Sequence, residues 1–344
     1  MILNNKYIIG TQLMFYEIEM VEDYVQSVID SVRCFDNPEN VNVDFCFNIS
    51  EFFEKIDTKI INKNELIDKF MHHISNLKKS GLNVTYEIYD KNEPKTMVEY
   101  RRNLNYFGCQ GTDYVIWGES DCMIPNQTFQ VLDNLKSYTD KNQIYNYIVT
   151  FAVRKMWDES WKILEHIDFE DKPYYRLGED NERELALTAP HSIRSYMSLN
   201  EMNKINNKVE EPDVRIINYP KFDGSCLIAS SNLLKTGVNI PPGFFGLAAE
   251  DTAFMYSCQK MMGNQYTQFV IKNILKVHNR NHPQKRNYIK GEKGDEINMG
   301  KRTSNNWFKS LMKINKDNLN RIFSNKQILS YEDWDFYNEK KGDL

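Results

Sequence analysis

The first third of the chain alternates between short apolar segments with a two-residue period and longer segments with a helical period. Val41 to Ile49 alternates as a strand does, and Asn64 to Lys79 carries apolar residues on one helical face until Gly81 ends it. The pattern predicts strands and helices in turn over residues 8–11, 20–32, 41–49, 64–79, 84–89, 95–109 and 113–117. Such alternation favours a mostly parallel sheet with helices on both faces.

The second half of the chain is less regular but continues this pattern. Strands are predicted over residues 144–153, 224–230 and 271–277, the last ending at His278, and a helix over residues 250–262. With 344 residues, of which 41% are hydrophobic and 13% aromatic, the chain can bury a sizeable core. It is long enough for one large domain or two ordinary domains.

Two acidic residues stand at the exit of the strand predicted over 113–117. The stretch WGESDCMIP carries Glu119 and Asp121. In open α/β sheets the ligand site lies beyond the carboxyl ends of the strands, where Gly10–Thr11 and Asn48–Ser50 should also gather. On an extended segment residues two apart point to one side, and carboxylate oxygens suit a hard cation, Mg²⁺ or Mn²⁺. Alternatively, the two acids satisfy backbone donors of a turn.

The sequence around these acids, YRRNLNYFGCQGTDYVIWGESDC, resembles the central signature of the GT-A glycosyltransferases, family 2 in particular. In that family an Arg-Asn pair, a helix, a strand and a D-x-D-like motif follow one another. Here the pair is Arg102 and Asn103, and Glu119 stands in the place of the first Asp. The resemblance implies a GT-A (Rossmann-like) α/β fold and a nucleotide-sugar donor. It also implies a divalent metal on the donor's diphosphate, with Asp121 as the main metal ligand.

Two further stretches are similar to the same family. IIGTQ matches the first strand, where the nucleotide docks near Gly10 and Thr11, and Asn48 stands where an Asp usually reads the nucleobase. PPGFFGLAAEDTAFMYSC is similar to the family's Gly-and-aromatic loop followed by Glu-Asp at a helix start. The resemblance implies that Asp251 takes the proton of the acceptor hydroxyl and that Glu250 orients the acceptor. The alternative is ordinary helix capping by acids in a first turn.

A histidine follows this acid pair at an interval that the family also shows. His278 lies 27 residues after Asp251. By resemblance it completes the shell of the cation, with His282 as the reserve candidate. Imidazole suits Mn²⁺ better than Mg²⁺. The alternative is a surface histidine in a basic loop.

The resemblance spans residues 6–282 and implies three regions in the chain. These are a nucleotide-sugar-binding half (1–125), an acceptor half (126–282) and a basic, helical C-terminal extension (283–344). The implied reaction transfers a hexosyl or pentosyl group to an acceptor hydroxyl with inversion at the anomeric carbon, and a retaining outcome stays open.

Charge is unevenly distributed along the chain. The net charge is −5, but residues 272–326 contain 14 Lys/Arg against 4 Asp/Glu, a local balance of +10. This basic segment is either a solvated helical surface or a surface for a polyanion. Because Tyr288, Trp307 and Phe308 lie within it, DNA is one candidate acceptor, through hydroxymethylated cytosine as in bacteriophages. The other candidates are a glycan, a lipid-linked sugar or a protein. A catalytically silent nucleotide- or polyanion-binding protein is the alternative from another functional class.

The sequence also bears on location and redox state. No apolar run reaches the ~18 residues that span a bilayer, and the first residues lack the layout of a signal peptide. We therefore expect a cytoplasmic protein, in the host cytoplasm if the source is viral, and the Asn/Lys/Ile/Tyr-rich composition is typical of an AT-rich genome. The six cysteines form no C-x-x-C pair, which favours reduced, buried thiols. The oligomeric state is not indicated.

Overall fold

The computed structural model of the chain describes residues 1–55, 62–151, 153–155, 163–165, 197–218, 223–245, 249–279 and 306–329. Within these ranges the strands, β1 to β12 in chain order, are Tyr7–Met14, Val41–Asn48, Asn83–Tyr89, Tyr114–Trp117, Cys122–Met123, Asn146–Phe151, Val153–Lys155, Ile163–Glu165, Val214–Ile217, Ile228–Ser230, Tyr266–Ile271 and Val277–His278. The α-helices described, α1 to α8, are Val21–Val32, Lys63–Lys79, Met97–Gly108, Thr128–Lys141, Leu199–Asn206, Ser231–Lys235, Glu250–Met262 and Asn306–Phe323.

Eight of these strands form one sheet in the order β3-β2-β1-β4-β10-β6-β11-β9. β1 pairs in parallel with β2 and β4, β2 with β3, and β6 with β11. β10 and β9 run antiparallel to their neighbours, so six strands point in one direction and two in the other. The predicted α/β fold with a mostly parallel sheet flanked by helices is confirmed.

Helices cover both faces of the sheet because its central strands are apolar on both sides. In β4, Tyr114 and Ile116 belong to a core cluster shared with α1, α2 and α4. Val115 and Trp117 belong to a second cluster shared with α3, α6 and α7. Consecutive strand residues point to opposite faces, so the continuous apolar run of β4 is buried between two layers of helices.

Several strand boundaries differ from the sequence-based expectation, and the strand expected over 224–230 begins only at Ile228. β1 continues to Met14, so Gly10 and Thr11 lie inside the strand and not at its end. The single strand expected over 271–277 is wrong, because β11 ends at Ile271 and His278 belongs to the separate strand β12. The chain turns between them, where the side chain of Asn273 bonds to the backbone of residues 211 and 213 at 2.8 Å.

The described part of the basic segment is mainly helix α8. Leu311 and Ile314 of this helix belong to the same core cluster as the central sheet. Residues 280–305, including His282 and Tyr288, lie outside the described residues, and the division of the chain into three regions stays a prediction. All six cysteines are free thiols, of which Cys34 is exposed and the other five are buried. No helix in the described ranges is long and apolar enough to cross a bilayer.

Candidate active site

The first acid pair lies on a tight turn just after β4, at the carboxyl edge of the sheet. The Cys122 N–H donates to the carbonyl oxygen of Glu119 at 3.0 Å, which closes a four-residue turn. The extended segment expected here is therefore wrong, and the turn itself brings both carboxylates to one side. Gly118 is needed before the turn because a Cβ there would lie 2.1 Å from Oγ1 of Thr11 and 2.3 Å from the hydroxyl of Tyr24.

Backbone pairing places His278 beside this turn. β12 pairs antiparallel with β5, which follows the turn directly, and His278 is opposite Cys122. The Asn279 N–H donates to the carbonyl oxygen of Asp121 at 2.6 Å. As a result, Nε2 of His278 lies 3.2 Å from Oδ1 of Asp121 and 3.3 Å from Oε2 of Glu119. Residues from two distant parts of the sequence thus form one cluster, called the Glu-Asp-His cluster below.

The donor atoms of the Glu-Asp-His cluster fit a divalent cation. Each of the three side chains offers one ligand atom, and these atoms lie within 4.8 Å of one another. Two carboxylate oxygens and an imidazole nitrogen suit Mn²⁺. Separations of 3.2 and 3.3 Å are close to the ~3 Å between neighbouring ligands of an octahedral ion. The side chain of His278 is 11% exposed and that of Asp121 is 7% exposed, so the cluster is shielded yet reachable from solvent.

A buried arginine joins this cluster to the second acid pair. Arg101 on α3 is 1% exposed. Its Nη2 donates to Oε1 of Glu119 at 2.6 Å, and its Nη1 donates to Oε1 of Glu250 at 2.8 Å. Its Cζ lies 4.8 Å from the ring centre of Trp117, a cation–π contact. Sequence reasoning missed this residue, although its helical spacing from Val98 on the apolar face of α3 was an available signal.

Glu250 and Asp251 begin helix α7, whose bounds agree with those predicted. The residue before them, Ala249, has a φ of +64°, a left-handed conformation that is uncommon for a residue with a side chain. Ala249 is also the N-cap, so neither acid occupies the N-cap position, although both lie in the first turn of the helix. Oε2 of Glu250 is buried and has no hydrogen-bond partner among the described residues. Oδ1 of Asp251 accepts from the N–H of Thr252 at 2.6 Å.

Burial raises the pKa of both carboxyl groups. The pKa of Glu250 rises to about 7, because burial and the neighbouring Asp251 outweigh the opposing charge of Arg101. The pKa of Asp251 is also raised, mainly by burial, against the hydrogen bond from Thr252. Asp251 keeps some contact with solvent, whereas Glu250 is buried. Two adjacent acids with different surroundings can take different roles.

Arg102 and Asn103 are not brought into the Glu-Asp-His cluster. An α-helix turns by about 100° per residue, so these side chains leave α3 in directions different from that of Arg101. Arg102 donates to three backbone carbonyl oxygens of the loop at residues 240–245, at 2.9 to 3.1 Å. Asn103 is exposed. The Arg-Asn pair therefore marks the helix that carries the bridging arginine.

Gly10, Thr11 and Asn48 lie in β1 and β2 and make contacts within the fold. A Cβ on Gly10 would lie 2.3 Å from a side-chain atom of α3, so glycine lets that helix approach the strand. Oγ1 of Thr11 lies 2.6 Å from the hydroxyl of Tyr24. The amide of Asn48 donates to the carbonyl oxygen of Lys95 at 3.0 Å. Thr11, inside β1, lies beside Gly118 of the acid turn, and Asn48 is the last residue of β2.

A second buried ion pair lies beside the site, and sequence reasoning missed it as well. Lys276 is 0% exposed and donates to Oδ2 of Asp223 at 2.5 Å and to the carbonyl oxygen of Ser225 at 2.6 Å. Lys276 precedes His278 by two residues, and a Cβ on the glycine after Asp223 would lie 2.8 Å from Cβ of Asp251. The ion pair therefore connects the strand that carries His278 to the segment that packs on Asp251.

Comparisons with known proteins give distant structural likeness only. No protein-family model and no curated protein sequence matches this chain. The fold is similar to S. aureus TarS 1-349, with a TM-score of 0.42 and 12% identity over 93% of this chain and 72% of that one. It is also similar to GalNAc-T7 with UDP, GalNAc and Mn²⁺, with a TM-score of 0.47 and 11% identity over 98% of this chain, which spans 54% of that one. For UDP-glucose pyrophosphorylase complexed with UDP-glucose the TM-score is 0.35, with 9% identity over 79% of this chain and 90% of that one.

Proposed function

We propose that this chain is a metal-dependent glycosyltransferase that moves a sugar from a nucleotide-sugar donor to an acceptor hydroxyl. The observation that carries the proposal is the Glu-Asp-His cluster, joined through Arg101 to Glu250 beside Asp251. A candidate cation site next to two acids can serve sugar transfer from a diphosphate, because the cation would neutralise the leaving group and an acid would take the proton of the hydroxyl. The sequence resemblance to the GT-A family supports the same activity.

A cation is part of the proposal because the site is otherwise rich in negative charge. Arg101 already bonds two carboxylates, so it offers little positive charge to a diphosphate. Mn²⁺ or Mg²⁺ held by Asp121, Glu119 and His278 would neutralise charge on the departing diphosphate. Arg101 holds Glu119 in place by a bond to Oε1, which leaves Oε2 facing His278.

The second acid pair would act on the acceptor. Because Oδ1 of Asp251 is bonded to the N–H of Thr252, Oδ2 is the oxygen proposed to take the hydroxyl proton. A raised pKa makes an ionised carboxylate a better proton acceptor. Oε2 of Glu250, which lacks a partner among the described residues, would accept a hydrogen bond from the acceptor and orient it. Attack from the face opposite the diphosphate would invert the anomeric centre.

Donor binding is proposed along β1 and β2 beside the acid turn. Gly10, Thr11 and Asn48 would shape this surface from β1 and β2 through the contacts described above. Arg102 and Asn103 are included because they lie on α3, the helix that would border this donor surface. Of these five, only Asn103 is exposed, so it is the one that a ligand could reach without a rearrangement.

The acceptor is proposed to be a hydroxyl on a glycan or other small molecule, or on hydroxymethylated cytosine in DNA. The second possibility is supported by Lys309 and Lys316, which are exposed on one side of α8. A gel-shift titration with duplex DNA at increasing salt tests it. Binding that weakens with salt and on changing Lys309 and Lys316 to Gln would support a DNA acceptor, and binding insensitive to both would argue against it.

The proposed activity is tested by donor hydrolysis. UDP-, GDP- and CMP-sugars are first screened by thermal shift with Mn²⁺, because a bound ligand raises the melting temperature. Hydrolysis of the best donor is then compared between the parent protein, Asp121→Asn and the matched control Asp68→Asn, an exposed acid on α2. Loss of hydrolysis in Asp121→Asn alone is expected. Equal hydrolysis in all three proteins would overturn the proposal.

The competing function is a nucleotide- or polyanion-binding protein without catalysis. It predicts a thermal shift with a nucleotide or DNA, no release of free sugar from any donor, and no dependence on Glu250 or Asp251. Oε2 of Glu250 is buried and has no hydrogen-bond partner in the described part of the chain. This favours the enzyme, because such an oxygen is costly unless a substrate uses it.

A further inference from the structure

Helix α8 has one face buried against the rest of the molecule and another in water. Leu311, Ile314, Asn315 and Asn318 are 0 or 1% exposed and recur at helical spacing, whereas Lys316 is exposed. Two buried asparagines on an apolar face are unfavourable unless their amides are hydrogen-bonded. The hydrogen-bond partners of these two amides therefore identify the segment that α8 fixes.

Both asparagines bond to the backbone of the 240–245 loop. Asn315 accepts from the N–H of Phe245 at 3.0 Å and donates to its carbonyl oxygen at 2.6 Å. Asn318 donates to the carbonyl oxygen of Gly243 at 2.8 Å. The fit is close, because a Cβ on Gly243 would lie 2.4 Å from Nδ2 of Asn318 and 2.3 Å from the carbonyl oxygen of Leu329. The loop is thus held at two points by α8.

The same loop is held from α3, and α8 also reaches helix α7. Arg102 of α3 bonds to carbonyl oxygens of the loop, as described above. On α8, the ring of Phe323 lies 4.7 Å from that of Tyr256 on α7, edge to face. The helix therefore contacts the chain on both sides of the Glu250–Asp251 pair, in the loop before it and in the helix after it.

One described residue between these contacts, Ala249, has an unfavourable backbone conformation. Ala249 adopts a left-handed conformation immediately before Glu250. Such a conformation is unfavourable for a residue with a Cβ atom and persists only where the surrounding structure fixes it. The anchored loop is described up to Phe245, four residues before Ala249, and helix α7 begins directly after Ala249.

We propose that Asn315 and Asn318 are positioning residues for the Glu250–Asp251 pair, which makes α8 a part of the active-site architecture. The inference rests on the proposed function, since it assigns the two acids to the acceptor side of the reaction. The contacts described for these asparagines go to the loop before the acid pair, and they reach the Glu-Asp-His cluster only indirectly, through Glu250 and Arg101. A change in α8 should therefore alter turnover more than donor or metal binding.

The test compares Asn315→Asp with Asn320→Asp, a matched control on the exposed face of the same helix. A carboxylate at position 315 would face the carbonyl oxygen of Phe245, now bonded at 2.6 Å, and would repel it. We expect amide hydrogen exchange in the 243–245 loop and in the first turn of α7 to become about tenfold faster in Asn315→Asp. For hydrolysis of UDP-glucose, or of whichever nucleotide-sugar the parent hydrolyses fastest, kcat should fall about tenfold or more while KM stays within about twofold.

A second pair of variants approaches the same contact from the loop. Gly243→Ala should reproduce both effects, whereas Gly111→Ala, with nothing within 4 Å of its added Cβ, should change neither. Unchanged exchange at the first turn of α7 in both Asn315→Asp and Gly243→Ala would overturn the inference. So would faster exchange with kcat and KM equal to those of the parent. If the parent hydrolyses no donor, the proposed function fails, and the exchange data still decide whether α8 fixes the acid pair.

Discussion

Nη1 of Arg101 lies 2.8 Å from Oε1 of Glu250, and the two residues are separated by 149 positions in the sequence. The other terminal nitrogen of Arg101 bonds Glu119, so one buried guanidinium connects the candidate cation site to the candidate acid-base pair. The two halves of the site are therefore not independent. A change at Arg101 should therefore affect Glu119 and Glu250 together.

Replacing Arg101 should be among the most damaging single changes in the chain. Arg101→Met would leave Glu119 and Glu250 without their shared partner, and removing one member of a buried ion pair costs roughly 3–5 kcal/mol. We expect a corresponding fall in the free energy of unfolding from urea titration. Arg33→Met is the matched control, because Arg33 is largely exposed in its pair with Asp30. A surface pair contributes about 0–1 kcal/mol, and equal losses in both variants would contradict the buried bridge.

The metal prediction concerns His278. His278→Ala should weaken Mn²⁺ binding by about tenfold or more, because it removes the only nitrogen ligand of the Glu-Asp-His cluster. It should weaken Mg²⁺ binding less, since Mg²⁺ prefers oxygen ligands. Isothermal titration calorimetry with each metal alone measures both effects.

His72 on α2 provides the control for this measurement. It is exposed and lies outside the cluster, so His72→Ala should leave the affinity for Mn²⁺ unchanged. Mn²⁺ binding that is equally tight in His278→Ala and in the parent protein would show that the histidine only hydrogen-bonds the two carboxylates.

Local patterns predicted much of this architecture, whereas the missed features depend on partners distant in sequence. The continuous apolar run of β4 and the spaced apolar residues of α7 are both visible in the sequence without any knowledge of distant partners. Helix α4 was missed because its buried face includes Asp133, whose carboxylate bonds the hydroxyl of Tyr7 and the backbone N–H of Asn4, so a polar residue interrupts the apolar period. A buried lysine such as Lys276 is recognisable only once Asp223, 53 residues away, is seen beside it.

The raised pKa of Glu250 makes stability depend on pH. The ordinary value is 4.5 and the folded value is about 7, so the folded state binds the proton more tightly than the unfolded chain does. The contribution of this carboxyl group to the free energy of unfolding is therefore fully present below pH 4.5 and is lost as the pH rises towards 7. In Glu250→Gln this loss should be absent. Between pH 5 and pH 7.5 the parent should therefore lose on the order of 2 kcal/mol more of its free energy of unfolding than the variant does.

Urea unfolding across this pH range, with a chelator present to exclude metal, measures the effect of Glu250→Gln. Glu210→Gln is the matched control, since it makes the same substitution at an exposed position. A parent profile that rises between pH 5 and 7.5 relative to that of Glu250→Gln would mean that the carboxyl is ionised more easily in the folded protein, against the burial described.

The buried Lys276–Asp223 pair should show strong coupling in a double-mutant cycle. Lys276→Met leaves Asp223 buried without its cation, and Asp223→Leu leaves Lys276 without its anion, so each single variant should lose roughly 3–5 kcal/mol. The double variant removes both charges and should be more stable than the sum of the two losses predicts, because no unpaired charge then remains buried. Urea unfolding of the four proteins gives the coupling energy directly. Additive losses would mean that the two side chains do not stabilise each other.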